Sequence, residues 1–172
     1  MSEDLGAVSR VIGVGHPFRR DDGVGPWLAA ELARRGIEAT AHTGDGAGLV
    51  EVLAQAAETG EALLFADATQ SGAPPGTVVV LDAHAAPLPP DTFRNSTHEF
   101  GLAAAVETAR ALGLLPASVV IVGIEGQDFT FGDGLSAPVE AAALAVLDRL
   151  VRALGAESGR DRTALFTSPV PD

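Results

Sequence analysis

The segment RVIGVGHPFRRDDGVG, residues 10–25, contains the clearest indication of the fold of this chain. It begins with a short, β-branched apolar run that ends at Gly15, which is the pattern of a buried strand closed by a turn. Pro26 then opens a segment with helical spacing, in a first turn where a missing N–H costs nothing. A strand, a loop and a helix in this order place the loop at the carboxyl end of the strand, where ligands bind in open α/β sheets. The adjacent carboxylates of that loop, Asp21 and Asp22, are therefore expected at a ligand-binding edge.

The composition favours one globular domain. The chain has 172 residues, 47% of them hydrophobic, and it contains no apolar run of about 18 residues that would span a membrane. The acidic N-terminus lacks the apolar core of a secretory signal, and the absence of cysteine excludes disulfides, thiolate metal sites and a cysteine nucleophile. A formal charge of −12 argues against nucleic acid or an anionic membrane as a partner. We expect a cytoplasmic protein with one α/β domain over residues 1–155 and a flexible tail over 156–172.

Strand-like and helical patterns alternate along the rest of the chain. Apolar strand-like runs follow at residues 37–42, 62–66, 77–82 and 118–124, and helical spacing is found at 26–35, 48–57, 96–112 and 136–154. Only about ten residues separate the third and fourth strands, which is short for a helical crossover, so the fourth strand is expected to run antiparallel near an edge. The pattern predicts a three-layer α/β/α fold with a mostly parallel sheet.

Three polar side chains are predicted at the carboxyl ends of strands. Asp22 follows the first strand, Asp67 ends the run 62–66, and His98 lies in the first turn of a helix that a capping box at 96–99 would start. A helix N-terminus disfavours imidazolium, so His98 would stay neutral, as a metal ligand must be. Two carboxylates and one imidazole suit a divalent transition metal with open coordination positions.

Each of these residues also has a simpler interpretation, because an Asp after a strand commonly caps a helix and a first-turn His is commonly solvent-exposed. Only their joint placement favours a metal site. Nearby, His16 could support a ligand but is expected to be a polar turn residue. Arg19 and Arg20 could clamp a carboxylate or phosphate, but we expect a solvated pair that balances the two aspartates. Asp21 is a candidate for an assisting base. Asp45, in the glycine-rich segment TGDGAG, either binds a substrate backbone or stabilises its own turn.

Several well-known catalytic motifs are absent from the sequence. Gly13 and Gly15 resemble the start of a dinucleotide-binding loop, but Phe18 stands where the third glycine belongs. The chain has no lysine, so it has no Walker-type phosphate loop. It also lacks the His-Glu-x-x-His of zinc peptidases and the Gly-x-Ser-x-Gly of serine hydrolases.

Four motifs in order resemble those of the nickel-dependent hydrogenase maturation endopeptidases. They are GVGHPFRRDDGVG, LLFADAT followed by PPGTV, STHEFGL, and VGIEGQ followed by FGDGLS, and the likeness extends over residues 11–154. Members of this family remove a C-terminal extension from the large-subunit precursor of a [NiFe]-hydrogenase after nickel has been inserted. The chain departs from the family pattern at His16, where Asn is usual, and at TGDGAG, where Asp-Gly-Gly-Thr is commoner.

The resemblance implies a fold and a set of site residues. The fold is a five-stranded mixed sheet of order 2-1-3-5-4 with strand 4 antiparallel, of the phosphorylase/hydrolase-like class. The family's metal-contacting and catalytic positions fall on Asp22, Asp67 and His98. Its substrate-recognition loop falls on Gly44, Asp45, Gly46 and Gly48.

The resemblance also implies a partner and a mechanism. The partner is the hydrogenase precursor, which carries the nickel as part of the substrate, although zinc or cadmium could occupy the same ligands. We expect the protein to act as a monomer and as a peptidase of aspartic type. Because the sequence offers no serine or cysteine nucleophile with a base, we expect water, activated by the metal or by an acidic side chain, to attack the peptide directly. Two alternatives stay open: a general metallopeptidase with a resident metal, and a non-catalytic nickel-binding or carrier protein.

Overall fold

The computed structural model describes residues 7–89, 91–93 and 100–158. Four helices pack on the two faces of a five-stranded sheet. The strands are β1 (Arg10–Val14), β2 (Ala39–His42), β3 (Leu63–Thr69), β4 (Val78–Asp82) and β5 (Val119–Glu125). The helices are α1 (Val24–Arg34), α2 (Gly46–Thr59), α3 (Leu102–Ala111) and α4 (Ala137–Ser158), and a 3-10 helix (Arg20–Gly23) directly precedes α1.

The sheet has the order β2-β1-β3-β5-β4. Its pairs are parallel except for β4, which runs antiparallel to β5 at one edge. This confirms the predicted order and direction of the strands. The short link between β3 and β4 leaves no room for a crossover helix, so β4 returns in the opposite direction.

Helices cover both faces of the sheet, which explains why the central strands read as continuous apolar runs. Ile12 and Phe65 point into the core shared with α2 and α3. Their chain neighbours Val11 and Leu64 point to the other face, into the core shared with α1 and α4. Within the described part of the chain, no helix combines the length and apolarity needed to cross a membrane.

The first turn of α1 lies directly against β1 and β3. A Cβ atom on Gly25 would overlap the carbonyl oxygens of Val14 and Ala66, and one on Gly13 would overlap the carbonyl of Gly25. Only glycine permits this close approach of a helix to a sheet. The glycines of the opening segment therefore hold the 3-10 helix at the carboxyl edge of the sheet.

Two boundaries near the predicted site differ from expectation. Strand β3 continues beyond Asp67 to Thr69, because Asp67 to Thr69 stay paired with β5. Helix α3 begins at Leu102, and its N-cap Gly101 is extended, with φ −102 and ψ −161. The capping box predicted at 96–99 therefore does not start this helix, and those four residues lie outside the described part of the chain.

The helix boundaries differ elsewhere by a turn or less. Helix α1 begins at Val24, two residues before Pro26, which still occupies the first turn. Helix α4 continues past the predicted end at residue 154 to Ser158. The separation of a domain at 1–155 from a tail at 156–172 stays a prediction, since residues 159–172 are outside the described ranges.

Candidate active site

Asp22 and Asp67 meet at the carboxyl edge of the sheet. Asp22 lies in the 3-10 helix that follows β1, and Asp67 lies in β3, the strand hydrogen-bonded to β1. Asp22 is 4% exposed and Asp67 is partly buried. The two carboxylates are close enough for the charge on Asp22 to influence the titration of Asp67. The structure thus brings together two of the three predicted ligands.

Both acids of this pair have raised pKa values. Burial raises the pKa of Asp22, against the opposing effects of the His16 N–H and of the charges on Arg19 and His16. Burial and then the charge of Asp22 raise the pKa of Asp67 well above its usual range, and a hydrogen bond from the Ala68 N–H only partly opposes them. Burial therefore disfavours the ionised form of both acids, and the charge of Asp22 disfavours it further at Asp67.

Local backbone contacts fix the position of Asp22. The His16 N–H donates to Oδ2 of Asp22 at 3.0 Å, and a guanidinium nitrogen of Arg19 lies 3.9 Å from the same oxygen. Gly15 has φ +137, and a Cβ atom there would overlap the Asp22 carbonyl. A glycine at this position lets the loop between β1 and the 3-10 helix close tightly.

The neighbouring Asp21 has a different role from Asp22. It is fully buried and accepts four hydrogen bonds of 2.7–2.8 Å, from the N–H groups of Gln127, Asp128 and Ser136 and from the Ser136 hydroxyl. These donors occupy both carboxylate oxygens and tie the 3-10 helix to the loop that follows β5. Asp21 is therefore a structural clamp, and the geometry does not support its assignment as an assisting base.

The two arginines have different partners, and Arg19 lies beside one of the aspartates that the pair was predicted to balance. Arg19 approaches Asp22. Arg20 has φ +46 and directs its guanidinium to Asp128, at 3.4 Å, and to the Asp133 carbonyl, at 3.5 Å. Arg20 therefore supports the clamped loop.

Glu125, which the sequence reasoning missed, braces the other side of the site. It is buried at the end of β5 and accepts hydrogen bonds from the hydroxyls of Thr69 (2.6 Å) and Ser71 (2.9 Å) and from the Gly72 N–H (2.9 Å). Burial alone would raise the pKa of Glu125, but these hydrogen bonds outweigh it and lower that pKa. The bonds hold the chain that leaves β3 just after Asp67. The sequence signal that could have identified Glu125 is an acidic residue at the end of the strand-like run VVIVGIE.

The glycine-rich segment at 43–48 forms the start of α2 rather than a simple turn. Asp45 is the N-cap, and its Oδ1 accepts a hydrogen bond from the Gly48 N–H at 2.7 Å. Gly44 has φ +94, and its N–H donates to Nδ1 of His42 at 3.0 Å. Gly46 lies under the ring of Phe100, where a Cβ atom would not fit. Asp45 thus stabilises its own turn, as one of its two interpretations expected.

The third predicted ligand, His98, lies outside the described residues. Within residues 7–89, 91–93 and 100–158, no group of three or more His, Cys, Asp or Glu side chains is arranged to hold a metal ion. The Asp22–Asp67 pair nevertheless suits one. Carboxylate oxygens are good ligands for divalent cations, and a cation between these acids would offset the burial that raises both pKa values and the charge of Asp22 that adds to the rise at Asp67.

Comparison with known proteins relates this architecture to one family. The family model described as hydrogenase maturation protease matches residues 31–153. That range contains Asp67 and His98 and begins after Asp22. The hydrogenase expression/formation protein HupD of Rhodobacter capsulatus is 27% identical over 158 residues, which cover 89% of this chain and 75% of the relative.

Solved structures share the fold. The hydrogenase maturating endopeptidase HybD from Escherichia coli is 27% identical, with a TM-score of 0.66 over 87% of this chain and 93% of that one. The solution structure of an endopeptidase from Escherichia coli is also 27% identical, with a TM-score of 0.63 over 87% and 94% of the two chains. The five-stranded mixed sheet is therefore shared with peptidases.

Proposed function

The chain belongs to the hydrogenase maturation protease family and is a peptidase, and we propose that it removes the C-terminal extension of a [NiFe]-hydrogenase large-subunit precursor after nickel insertion. The observation that carries this proposal is the pair formed by Asp22 and Asp67 at the carboxyl edge of the sheet. The chain has no cysteine that could act as a nucleophile, and this pair provides a site with two acids whose pKa values are raised.

In this proposal nickel is part of the substrate. Asp22, Asp67 and His98 would ligate the nickel that the precursor already contains, so that a precursor without nickel is not engaged. The raised pKa values of the two aspartates support the binding of a cation between them, because a cation would stabilise carboxylates whose ionised form burial disfavours. Ligation would also hold the scissile peptide beside the two acids, which is the proximity contribution to catalysis.

The reaction is the addition of water to the scissile carbonyl carbon. The C–N bond then breaks, and a proton passes to the leaving amine. A carboxylate oxygen of Asp67 would take the proton from the attacking water and pass it to the leaving amine. Asp22 would share the same reaction centre as the second acid.

The start of α2 would contact the precursor chain. Asp45 is exposed at this position, whereas Gly44 and Gly46 are buried and shape the backbone that presents its carboxylate. These residues follow β2, whose carboxyl end lies beside that of β1 in the sheet. This placement supports a role in binding the substrate backbone.

Intact mass spectrometry tests the proposal directly. Nickel-loaded and nickel-free precursor are incubated with wild-type protein and with the variants Asp22→Ala and His98→Ala. The matched controls are Asp148→Ala and His84→Ala. In the wild-type protein Asp148 is an exposed acid on α4, and Nε2 of His84 lies 2.7 Å from the Pro116 carbonyl oxygen. We expect loss of a C-terminal peptide from the loaded precursor alone, full processing by both controls, and at least a hundredfold slower processing by the two site variants.

The other outcomes separate the alternatives. Cleavage of both precursor forms would indicate a peptidase with a resident metal. Nickel binding without cleavage of either form would indicate a carrier. Wild-type rates in both site variants would refute the assignment of Asp22 and His98. The monomeric state and the cytoplasmic location stay predictions.

A further inference from the structure

Two phenylalanine side chains project into solvent near Asp22. Phe131 is 79% exposed and Phe18 is 62% exposed. The His16 ring lies edge-on to both, with ring centroids 6.0 Å from Phe18 and 6.3 Å from Phe131. We call Phe18, His16 and Phe131 the aromatic patch. Exposed aromatic groups gathered in this way are typical of interaction sites.

The patch is held in place by backbone hydrogen bonds. The Gly132 N–H donates to the Phe18 carbonyl at 2.9 Å, and the Arg20 N–H donates to the Gly132 carbonyl at 3.1 Å. The loop that carries Phe131 is fastened further by the four hydrogen bonds to Asp21. Because both aromatic residues sit on a braced backbone, a partner would bind them with little loss of backbone conformational entropy.

The patch is continuous with the candidate active site. The Phe18 N–H donates to Nδ1 of His16 at 3.2 Å, and the His16 N–H donates to Oδ2 of Asp22 at 3.0 Å. Two hydrogen bonds therefore connect the rim of the patch to a proposed ligand. A polypeptide bound at Asp22 would pass beside these rings.

We propose that the aromatic patch is a specificity site that seats an apolar side chain of the precursor polypeptide beside the bond to be cut. The inference rests on the proposed function, which places the precursor at Asp22. The two phenylalanine rings are uncharged and offer an apolar side chain a surface that excludes water. A second copy of the chain is a poorer occupant, because each copy carries a formal charge of −12 and the two would repel one another.

The test compares Phe131→Ala and Phe18→Ala with Leu144→Ala, a control on α4 whose side chain is 52% exposed. The dissociation constant for nickel-loaded precursor and the initial rates of its cleavage are measured for each. We expect about a tenfold rise in the dissociation constant and KM for each phenylalanine variant, with kcat within about twofold of wild type. Phe131→Leu should recover most of the affinity, since it keeps an apolar side chain, and Leu144→Ala should match wild type.

The failures of the two proposals are distinguishable. Wild-type protein that binds precursor without cutting it, with weaker binding by Phe131→Ala, would support the patch and refute the proposed function. Cleavage by all variants with unchanged KM would refute the patch alone. Wild-type protein that sediments as a dimer, converted to a monomer by Phe131→Ala, would make the patch a self-association surface and overturn the inference.

Discussion

Replacement of Asp21 by alanine should destabilise the protein strongly, although Asp21 is outside the reacting groups. The substitution removes a fully buried carboxylate and leaves four donors without their acceptor. Hydrogen bonds to a charged group contribute about 1.5–3 kcal/mol each, and four of them would give at least about 6 kcal/mol if they were additive. The donors lie on a loop that water can reach after the change, so we expect about half of that sum, about 3 kcal/mol.

Urea unfolding at pH 7 measures this loss of free energy of unfolding. For a chain of this size, about 3 kcal/mol corresponds to a fall in Tm of about 6–12 °C. Asp21→Asn should lose less, about 1–2 kcal/mol, because its remaining oxygen can still accept most of the hydrogen bonds. Asp148→Ala is the matched control, since it breaks only an exposed pair with Arg152 and should cost less than about 0.5 kcal/mol.

Hydrogen exchange locates the effect. The amides of Gln127 and Asp128 should lose protection in Asp21→Ala before the amides of β3 do, because their acceptor has been removed. A loss of less than about 1 kcal/mol in Asp21→Ala, or equal losses in the alanine and asparagine variants, would refute the clamp.

Two further predictions concern the pH dependence of stability, and the expected changes in stability at pH 7 have opposite signs. Asp67→Asn should raise the free energy of unfolding of the metal-free protein at pH 7. The pKa of Asp67 is raised in the folded state, so ionisation of this side chain lowers stability as pH rises above its unfolded-state pKa of about 3.9, and asparagine cannot ionise. Thermal unfolding should show this gain vanish below about pH 4, and no gain at pH 7 would contradict the raised pKa. Glu125→Gln should be less stable than wild type at pH 7, because the lowered pKa of Glu125 stabilises the fold above its unfolded-state value of about 4.3. The deficit should narrow as pH falls through the folded-state pKa, and a deficit independent of pH would refute this account.

The strands, most of the helices and the direction of the edge strand follow from local patterns in the sequence. The apolar runs of the central strands are local signals, because a strand covered on both faces must be apolar throughout. The short link before Val78–Asp82 was enough to predict an antiparallel edge strand. The full strand order came from the family resemblance, and it is confirmed.

Which acids lie together depends on contacts between distant parts of the chain. Asp21 and Asp22 are equivalent in a sequence pattern, yet one is a clamp and the other faces Asp67. The partners of Asp21 lie 106 to 115 residues further along the chain. Glu125 was not predicted as a site residue for the same reason, because its hydrogen-bond partners lie at and just after the end of β3. Local propensity cannot determine such contacts, because they form only when the carboxyl ends of distant strands meet at one edge of the sheet.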